Sequence, residues 1–257
     1  MKSAPVVKPL TTHQALRYSR QIMLPGFDLE RQERLLASRV LLIGAGGLGC
    51  AAAQYLVTAG LGQLTIVDDD KVDVSNLQRQ TLHSEHDVGE YKCHSAKATL
   101  SALNSAISIT ALVARLSDET LKEQLAQHDI VLDCSDNLAT RKQVNKYCFA
   151  TLTPFVSGAA IRMEGQVSSF TQQTEHACYQ CLCASFGEQN LSCMEAGIMS
   201  PVVGIIGAMQ ALEAIKILTS FGKPLTNKLL MFDAMRSEWQ TFNLMKNPHC
   251  EVCGISA

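Results

Sequence analysis

Residues 39–49 read RVLLIGAGGLG, a short apolar run that passes directly into a glycine-rich turn. Val40, Leu41, Leu42 and Ile43 form the kind of run expected of a central parallel strand covered on both faces. Gly44, Gly46 and Gly49 follow in G-x-G-x-x-G spacing. Glycines permit the tight turn and let backbone approach a phosphate, whose charge is favoured at the N-terminus of the following helix. The stretch therefore predicts a nucleotide site at the head of a βαβ unit. It does not say which nucleotide, and taken alone it points to a dinucleotide-dependent oxidoreductase.

Working outward, 48–59 reads as a helix closed by Gly60, and 63–68 as a second strand ending in Asp68. Asp68 follows Gly44 by 24 positions (68 − 44), near the spacing at which an acid reaches a ribose hydroxyl. The next segment, VDVSNLQRQTL, is loop-like and puts Asn76, Gln78, Arg79 and Gln80 in quick succession, a cluster that hydride transfer does not require. Lys92 and Lys97 lie on a helix predicted within 89–102. Strands at 107–114 and 130–132, with helical character over 116–128 between them, continue a β/α alternation. DCSDN then sets Asp133, Asp136 and Asn137 at a strand's carboxyl end, the edge where open α/β sheets bind ligands.

Further strands are expected at 155–158, 166–170, 229–232 and 239–244, with periodicity fading near Ala177. Upstream, 30–37 is a polar helix, and 16–24, with RYSRQI, is a short helix whose Arg17 and Arg20 read as a solvated face. The expected fold is α/β, Rossmann-like: a mostly parallel sheet flanked by helices, with a smaller antiparallel and zinc-binding C-terminal portion. Residues 1–257 form one unit, divided into an N-terminal helical segment (1–37), a nucleotide-binding core (38–158) and a final portion (159–257).

With 47% hydrophobic and 18% charged residues the chain can bury a large core. A net charge of −2 leaves no basic surplus for a nucleic-acid partner. The opening MKSAPVVKPLTTHQ lacks the apolar core of a signal peptide, so a cytoplasmic location is expected. The apolar stretch 201–221 is broken at threes by Gln210, Glu213 and Lys216, which favours a buried helix over a membrane span.

Ten cysteines without a secretion signal argue against a disulfide framework. Cys178 and Cys181 form one C-x-x-C pair and Cys250 and Cys253 another; two such pairs suit a closed, tetrahedral structural zinc site. A redox pair or coincidence is the alternative. Cys183 sits too near Cys181 to extend the first pair, and Cys50, Cys93, Cys134 and Cys148 read as small buried apolar residues. Cys193, in the polar segment NLSCMEAGIMSP ahead of a helix, is a candidate thiol nucleophile.

Together RYSRQI, GAGGLGC, the Asp68 strand end, SNLQRQTLH, DCSDN, SGAAIRMEGQ, the paired C-x-x-C motifs and AGIMSP resemble, in order and over nearly the whole chain after Leu16, the ThiF/MoeB family. These are bacterial relatives of ubiquitin-activating enzymes. SNLQRQTLH and SGAAIRMEGQ are nearer its molybdopterin-synthase branch than its thiamine branch. The resemblance implies a homodimer, and ATP with Mg²⁺ rather than NAD. It implies that Gly47 approaches ATP, Asp68 holds the ribose, and the run Ser75, Asn76, Leu77, Gln78 and Arg79, with Lys92, contacts the nucleotide. Asp136, beside Asn137, would hold magnesium, and Arg20 would reach into the partner subunit's site.

The implied substrate is the C-terminal glycine carboxylate of a small ubiquitin-like sulfur carrier, a MoaD-like protein ending in Gly-Gly. Such a carboxylate is ionised at neutral pH, with a reference pKa near 3.5, and needs no general base to attack the α-phosphate. Arg20, Arg79, Lys92 and Asp136 form the catalytic set the resemblance implies. A separate sulfur donor is expected, and Cys193 matches the position where some relatives use a thiol. A ThiS-like carrier for thiamine synthesis, a nicotinamide-dependent oxidoreductase and a zinc-stabilised binding scaffold are the competing readings.

Overall fold

The strand predicted from 40–43 is β1 (Arg39–Ile43), and it lies inside a sheet rather than at its edge. It pairs in parallel with β2 (Gln63–Val67) on one side and β4 (Ile130–Asp133) on the other. Alternate residues of β1 serve opposite faces: Val40 and Leu42 join one hydrophobic cluster, Leu41 and Ile43 a second. With both faces covered, an apolar run rather than an alternating one is the stable sequence. Each fully buried leucine here contributes roughly 1.5–3 kcal/mol.

The computed structural model describes residues 7–187 and 196–254. Its sheet runs in the order β3-β2-β1-β4-β5-β6-β7-β8, with β3 (Ser108–Leu112), β5 (Phe155–Ile161), β6 (Glu164–Phe170), β7 (Lys228–Asp233) and β8 (Glu238–Asn243). Pairing is parallel from β3 through β5 and antiparallel from β5 to β8, so a parallel half and an antiparallel half share one hydrogen-bonded sheet.

The helices are α1 (Thr12–Arg17), α2 (Ser19–Ile22), α3 (Asp28–Ala37), α4 (Gly47–Ala59), α5 (Lys92–Leu103), α6 (Asp118–Gln127), α7 (Leu138–Ala150), α8 (Tyr179–Phe186) and α9 (Ser200–Thr219). Residues of α3, α4, α5 and α9 build the cluster on one face of the sheet, those of α6, α7 and α8 the cluster on the other. Gly60 closes α4 in the left-handed region at φ 93°, as its place in the sequence predicts.

Three local features depart from the expectations or lie outside them. The single helix expected over 16–24 is two short helices divided at Tyr18, whose φ of −98° and ψ of 11° leave the helical region. Tyr18 is buried there, and its hydroxyl accepts a bond from Asn104 Nδ2 at 3.0 Å, so a tertiary anchor overrides helix continuity. Regular structure also continues past Ala177: α8 forms because Tyr179, Cys181, Leu182 and Cys183 are buried together. The third is α7, invisible to apolar periodicity because its buried face includes Arg141 and Asn145.

By length and composition α9 is apolar enough to cross a membrane, yet it packs on α4, β5 and β6. Its polar residues have core partners. Gln210 donates to the Asp133 carbonyl at 2.8 Å, while Glu213 accepts from Ser169 Oγ at 2.8 Å and the Leu225 amide at 2.6 Å and pairs with Lys216. A polar group carrying such partners is stable in a protein core, as 201–221 was read to be.

Candidate active site

The strand order reverses direction between β1 and β4, the place where doubly wound sheets open a ligand crevice. The glycine turn leaves β1 there and the DCSDN turn leaves β4. They touch: Gly44 has φ +96°, and a Cβ on it would lie 2.8 Å from the Cys134 carbonyl oxygen. A Cβ on Gly49 would fall 1.9 Å from the Gly44 carbonyl oxygen, so α4 begins only because position 49 has no side chain. The N-terminus of α4 faces a cavity of about 650 Å³. Gly47 borders it, but a Cβ there would meet Val203 of α9 at 2.8 Å, so packing also demands this glycine.

Asp68, just beyond β2, also borders the cavity. Its Oδ2 accepts the Ala45 amide at 2.7 Å and its Oδ1 the Asp70 amide at 2.8 Å, which fixes the carboxylate across the glycine turn. Burial raises its pKa, opposed by those two bonds and the Lys92 charge. Ionised, a carboxylate has about four acceptor sites, so two remain for a ligand hydroxyl.

Ser75 and Asn76 sit in a 3₁₀ turn (Val74–Asn76) capped by Asp73, whose Oδ1 accepts from the Ser75 amide at 2.8 Å. Arg79 donates from Nη1 to the Ser75 carbonyl at 3.0 Å. Ser75, Asn76 and Arg79 border the cavity; Leu77 and Gln78 do not. Lys92 opens α5, is 7% exposed, and pairs through Nζ with Asp70 Oδ2 at 2.8 Å. Asp136 and Asn137 are exposed on the opposite wall, where Asn137 caps α7 by accepting the Thr140 amide at 2.8 Å. Arg20, exposed on α2, lies outside the cavity of its own chain.

The structure adds residues that sequence reasoning left without a role. Gln80 borders the cavity at 3% exposure with its Oε1 lacking a hydrogen-bond partner. Its place in the polar run QRQ was the available signal. Arg141, 8% exposed, donates from Nη2 to the Ser135 carbonyl at 2.8 Å and stands beside the fully buried Asp133. Burial pushes the Asp133 carboxyl up, while the Arg141 charge and bonds from Ser135 and Ser157 pull it down. Beneath the turn, His83 Nε2 lies 3.2 Å from the Ala45 carbonyl oxygen and Nδ1 2.8 Å from Ser95 Oγ.

Away from the cavity, Cys178, Cys181, Cys250 and Cys253 converge, all four Sγ atoms within 4.8 Å of one another. Cys178 and Cys250 are 3.6 Å apart, Cys181 and Cys253 3.4 Å. Four thiolates around one zinc at about 2.3 Å would stand about 3.8 Å apart, so donor set and spacing fit a structural zinc. Without a cation, burial pushes the Cys178 thiol up to about 11. Cys50, Cys93, Cys134 and Cys148 are buried, and burial lifts Cys50 to about 12, consistent with inert core thiols. Cys193 lies outside the described residues.

A helix N-terminus behind a glycine turn, an acid at the end of β2 and cations around a switch-point cavity define a nucleotide-binding α/β protein. The chain belongs to the ThiF family, whose profile matches residues 18–252. It is 54% identical over 245 residues to an Escherichia coli K12 protein named molybdopterin-synthase adenylyltransferase, covering 95% of this chain and 98% of that one. An E. coli K12 sulfur carrier protein ThiS adenylyltransferase is 44% identical over 241 residues, 94% and 96% of the two chains. Among solved structures, E. coli MccB with ATP superposes with a TM-score of 0.80 at 25% identity, covering 93% of this chain and 74% of that one.

Proposed function

We propose that the chain is an adenylyltransferase that uses ATP to activate the C-terminal glycine carboxylate of a small ubiquitin-like sulfur carrier, in the molybdopterin-synthase branch of molybdenum cofactor biosynthesis. One observation carries this reading: a single cavity joins the α4 N-terminus to Asp68, Arg79, Lys92 and Asp136. These are groups suited to a ribose and a chain of phosphates, whereas hydride transfer needs no such gathering of charge. The names of the 54% and 44% identical relatives support the same chemistry.

The carrier carboxylate oxygen forms a bond to the α-phosphorus as the bond from that phosphorus to the pyrophosphate oxygen breaks. The products are an acyl-adenylate and pyrophosphate. The nucleophile is already ionised, so the protein's task is alignment and charge neutralisation. Asp68 orients the ribose through its unused acceptor sites. Asn76, Arg79 and Lys92 engage phosphate oxygens, with Lys92 drawn from Asp70 by the stronger negative charge. Arg20 is supplied by a second copy of the chain. Asp136, an exposed oxygen donor on the cavity wall, fits magnesium, which when bound offsets phosphate charge. The four-cysteine cluster holds zinc in a structural role.

Residues 159–257 carry the carrier-facing and zinc-holding portion of one adenylation unit. A cytoplasmic location accords with the absence of disulfides among the described cysteines. Cys193 has no part in adenylation as written, and a separate donor supplies sulfur to the adenylate. Carrier-dependent ATP–pyrophosphate exchange tests the proposal. Exchange that vanishes when the carrier's terminal glycine is deleted supports it, and equal exchange without carrier refutes it. The 44% identity to a ThiS adenylyltransferase keeps a thiamine-type carrier as the second reading, which competition between purified carriers separates.

A further inference from the structure

One imidazole touches three segments that supply the cavity's nucleotide-facing groups. His83, 7% exposed, follows the run that holds Asn76, Arg79 and Gln80, and its amide donates to the Gln80 carbonyl at 3.0 Å. Its Nδ1 lies 2.8 Å from Ser95 Oγ on α5, the helix that Lys92 opens, and its Nε2 lies 3.2 Å from the Ala45 carbonyl oxygen in the glycine turn. Thr99, one helical turn beyond Ser95, donates to the Leu82 carbonyl at 2.8 Å, so one face of α5 holds both Leu82 and His83. A carbonyl oxygen only accepts, so Nε2 carries the ring proton, and Nδ1 of the neutral ring accepts from the Ser95 hydroxyl. Burial, opposed by the Ala45 bond, Asp87 and Asp68 and aided by the Lys92 charge, holds the ring below the usual histidine value and so favours that neutral form.

The consequence falls on the peptide between Ala45 and Gly46. Its carbonyl oxygen accepts from His83 Nε2 and, at 3.5 Å, from Cys50 Sγ, while the Ala45 amide donates to Asp68 Oδ2 at 2.7 Å. The peptide is trans, so its C=O and N–H point in opposite directions. A carbonyl held toward the buried His83 therefore turns the Gly46 N–H outward, and Gly46 borders the cavity. We infer that His83 is a positioning residue for phosphate binding: its Nε2 bond to the Ala45 carbonyl aims the Gly46 amide into the cavity, and its Nδ1 bond to Ser95 fixes that amide relative to Lys92. The inference rests on the ATP reading given above. A buried imidazole carries a desolvation cost that a phenyl ring avoids, and here it offsets that cost through two bonds, one to each of the segments it aligns.

The test compares ATP with adenosine by calorimetry on the full chain without divalent cation, since only ATP offers phosphates to the Gly46 amide and Lys92. His83→Phe keeps a ring and removes both nitrogens. Its ATP affinity should fall roughly tenfold, the scale of a lost hydrogen bond to a charged group, with adenosine affinity unchanged. His83→Gln, whose amide nitrogen replaces the Nε2 donor to the Ala45 carbonyl, should recover most of that loss. A lower melting temperature with the ratio of ATP to adenosine affinity preserved in His83→Phe marks a structural residue and overturns the inference. So does a His83→Gln variant that binds ATP no more tightly than His83→Phe. Should His83→Phe fail to fold, Ser95→Ala decides by the same readout: the ratio should fall about threefold, and an unchanged ratio overturns the inference. Unsubstituted protein that binds ATP no more tightly than adenosine overturns the functional reading instead. A clear preference for ATP that His83→Phe leaves intact overturns this inference alone.

Discussion

The cavity wall and the cysteine cluster use polar groups in opposite ways. Around the cavity, Asp136 is exposed, Arg79 is half-buried with a single bond to the Ser75 carbonyl, Lys92 is held by one exposed acid, and Gln80 keeps a buried oxygen with no partner. In the cluster, four buried thiols turn inward on one another within 4.8 Å. A site that must admit and release a nucleotide needs unmet bonding capacity. A site that fastens the chain needs every donor committed to one another or to a metal. The difference predicts that substitutions in the first region change binding and rate with little effect on stability, and that those in the second do the reverse.

The widest separation is expected at Asp136. Asp136→Ala should lower carrier-dependent pyrophosphate exchange by roughly a hundredfold or more, the scale of removing one electrostatic contact to reacting phosphates, with an unchanged melting curve. Retained exchange would remove Asp136 from the site. Next, Cys250→Ser should release zinc, measured by elemental analysis, and cost roughly 4 kcal/mol in denaturant unfolding, while ATP affinity without Mg²⁺ stays constant. A metal-free, equally stable wild-type chain would break the comparison from that side.

A smaller effect sharpens it. Gln80→Leu removes a buried oxygen that has no partner, so stability should hold or rise, whereas ATP affinity by calorimetry should fall about fivefold. A loss of stability with unaltered affinity would make Gln80 a structural residue.

The smallest effect concerns pH. Burial is the main cause holding His83 below its usual value, aided by Lys92 and opposed by its Ala45 bond and by Asp87 and Asp68. Its folded pKa is depressed, so the unfolded chain binds more protons near the ordinary histidine value. The stabilisation is present above about pH 6.5 and declines as pH falls through the folded pKa. His83→Gln should flatten that decline by roughly 2 °C in melting temperature, and an equally steep profile would remove His83 as its source.

Much of the site was legible because it is local. The glycine turn, Asp68, Asn76, Arg79 and the DCSDN turn are each written within a few residues of a strand end, and strand ends follow from apolar runs. Gln80 was visible but unassigned, since only a folded neighbourhood distinguishes a buried amide from a solvated one. Leu77 and Gln78, next to the cavity-lining Asn76 and Arg79, do not border the cavity, because a 3₁₀ turn and its exit present only some of their side chains to one side. Helix α7 stayed hidden because its buried face carries an arginine and an asparagine, which a hydrophobic period cannot register.

By itself the sequence determined the parallel half, the nucleotide turn and two cysteine pairs able to share a metal, because backbone propensity, glycine freedom and ligand spacing act over short distances. Only the tertiary structure decided that the sheet continues unbroken into its antiparallel half, that Tyr18 divides the first helix, and that His83 ties the glycine turn to α5. Those outcomes depend on contacts between residues far apart in the chain, and burial against a distant partner has no signature in a local window.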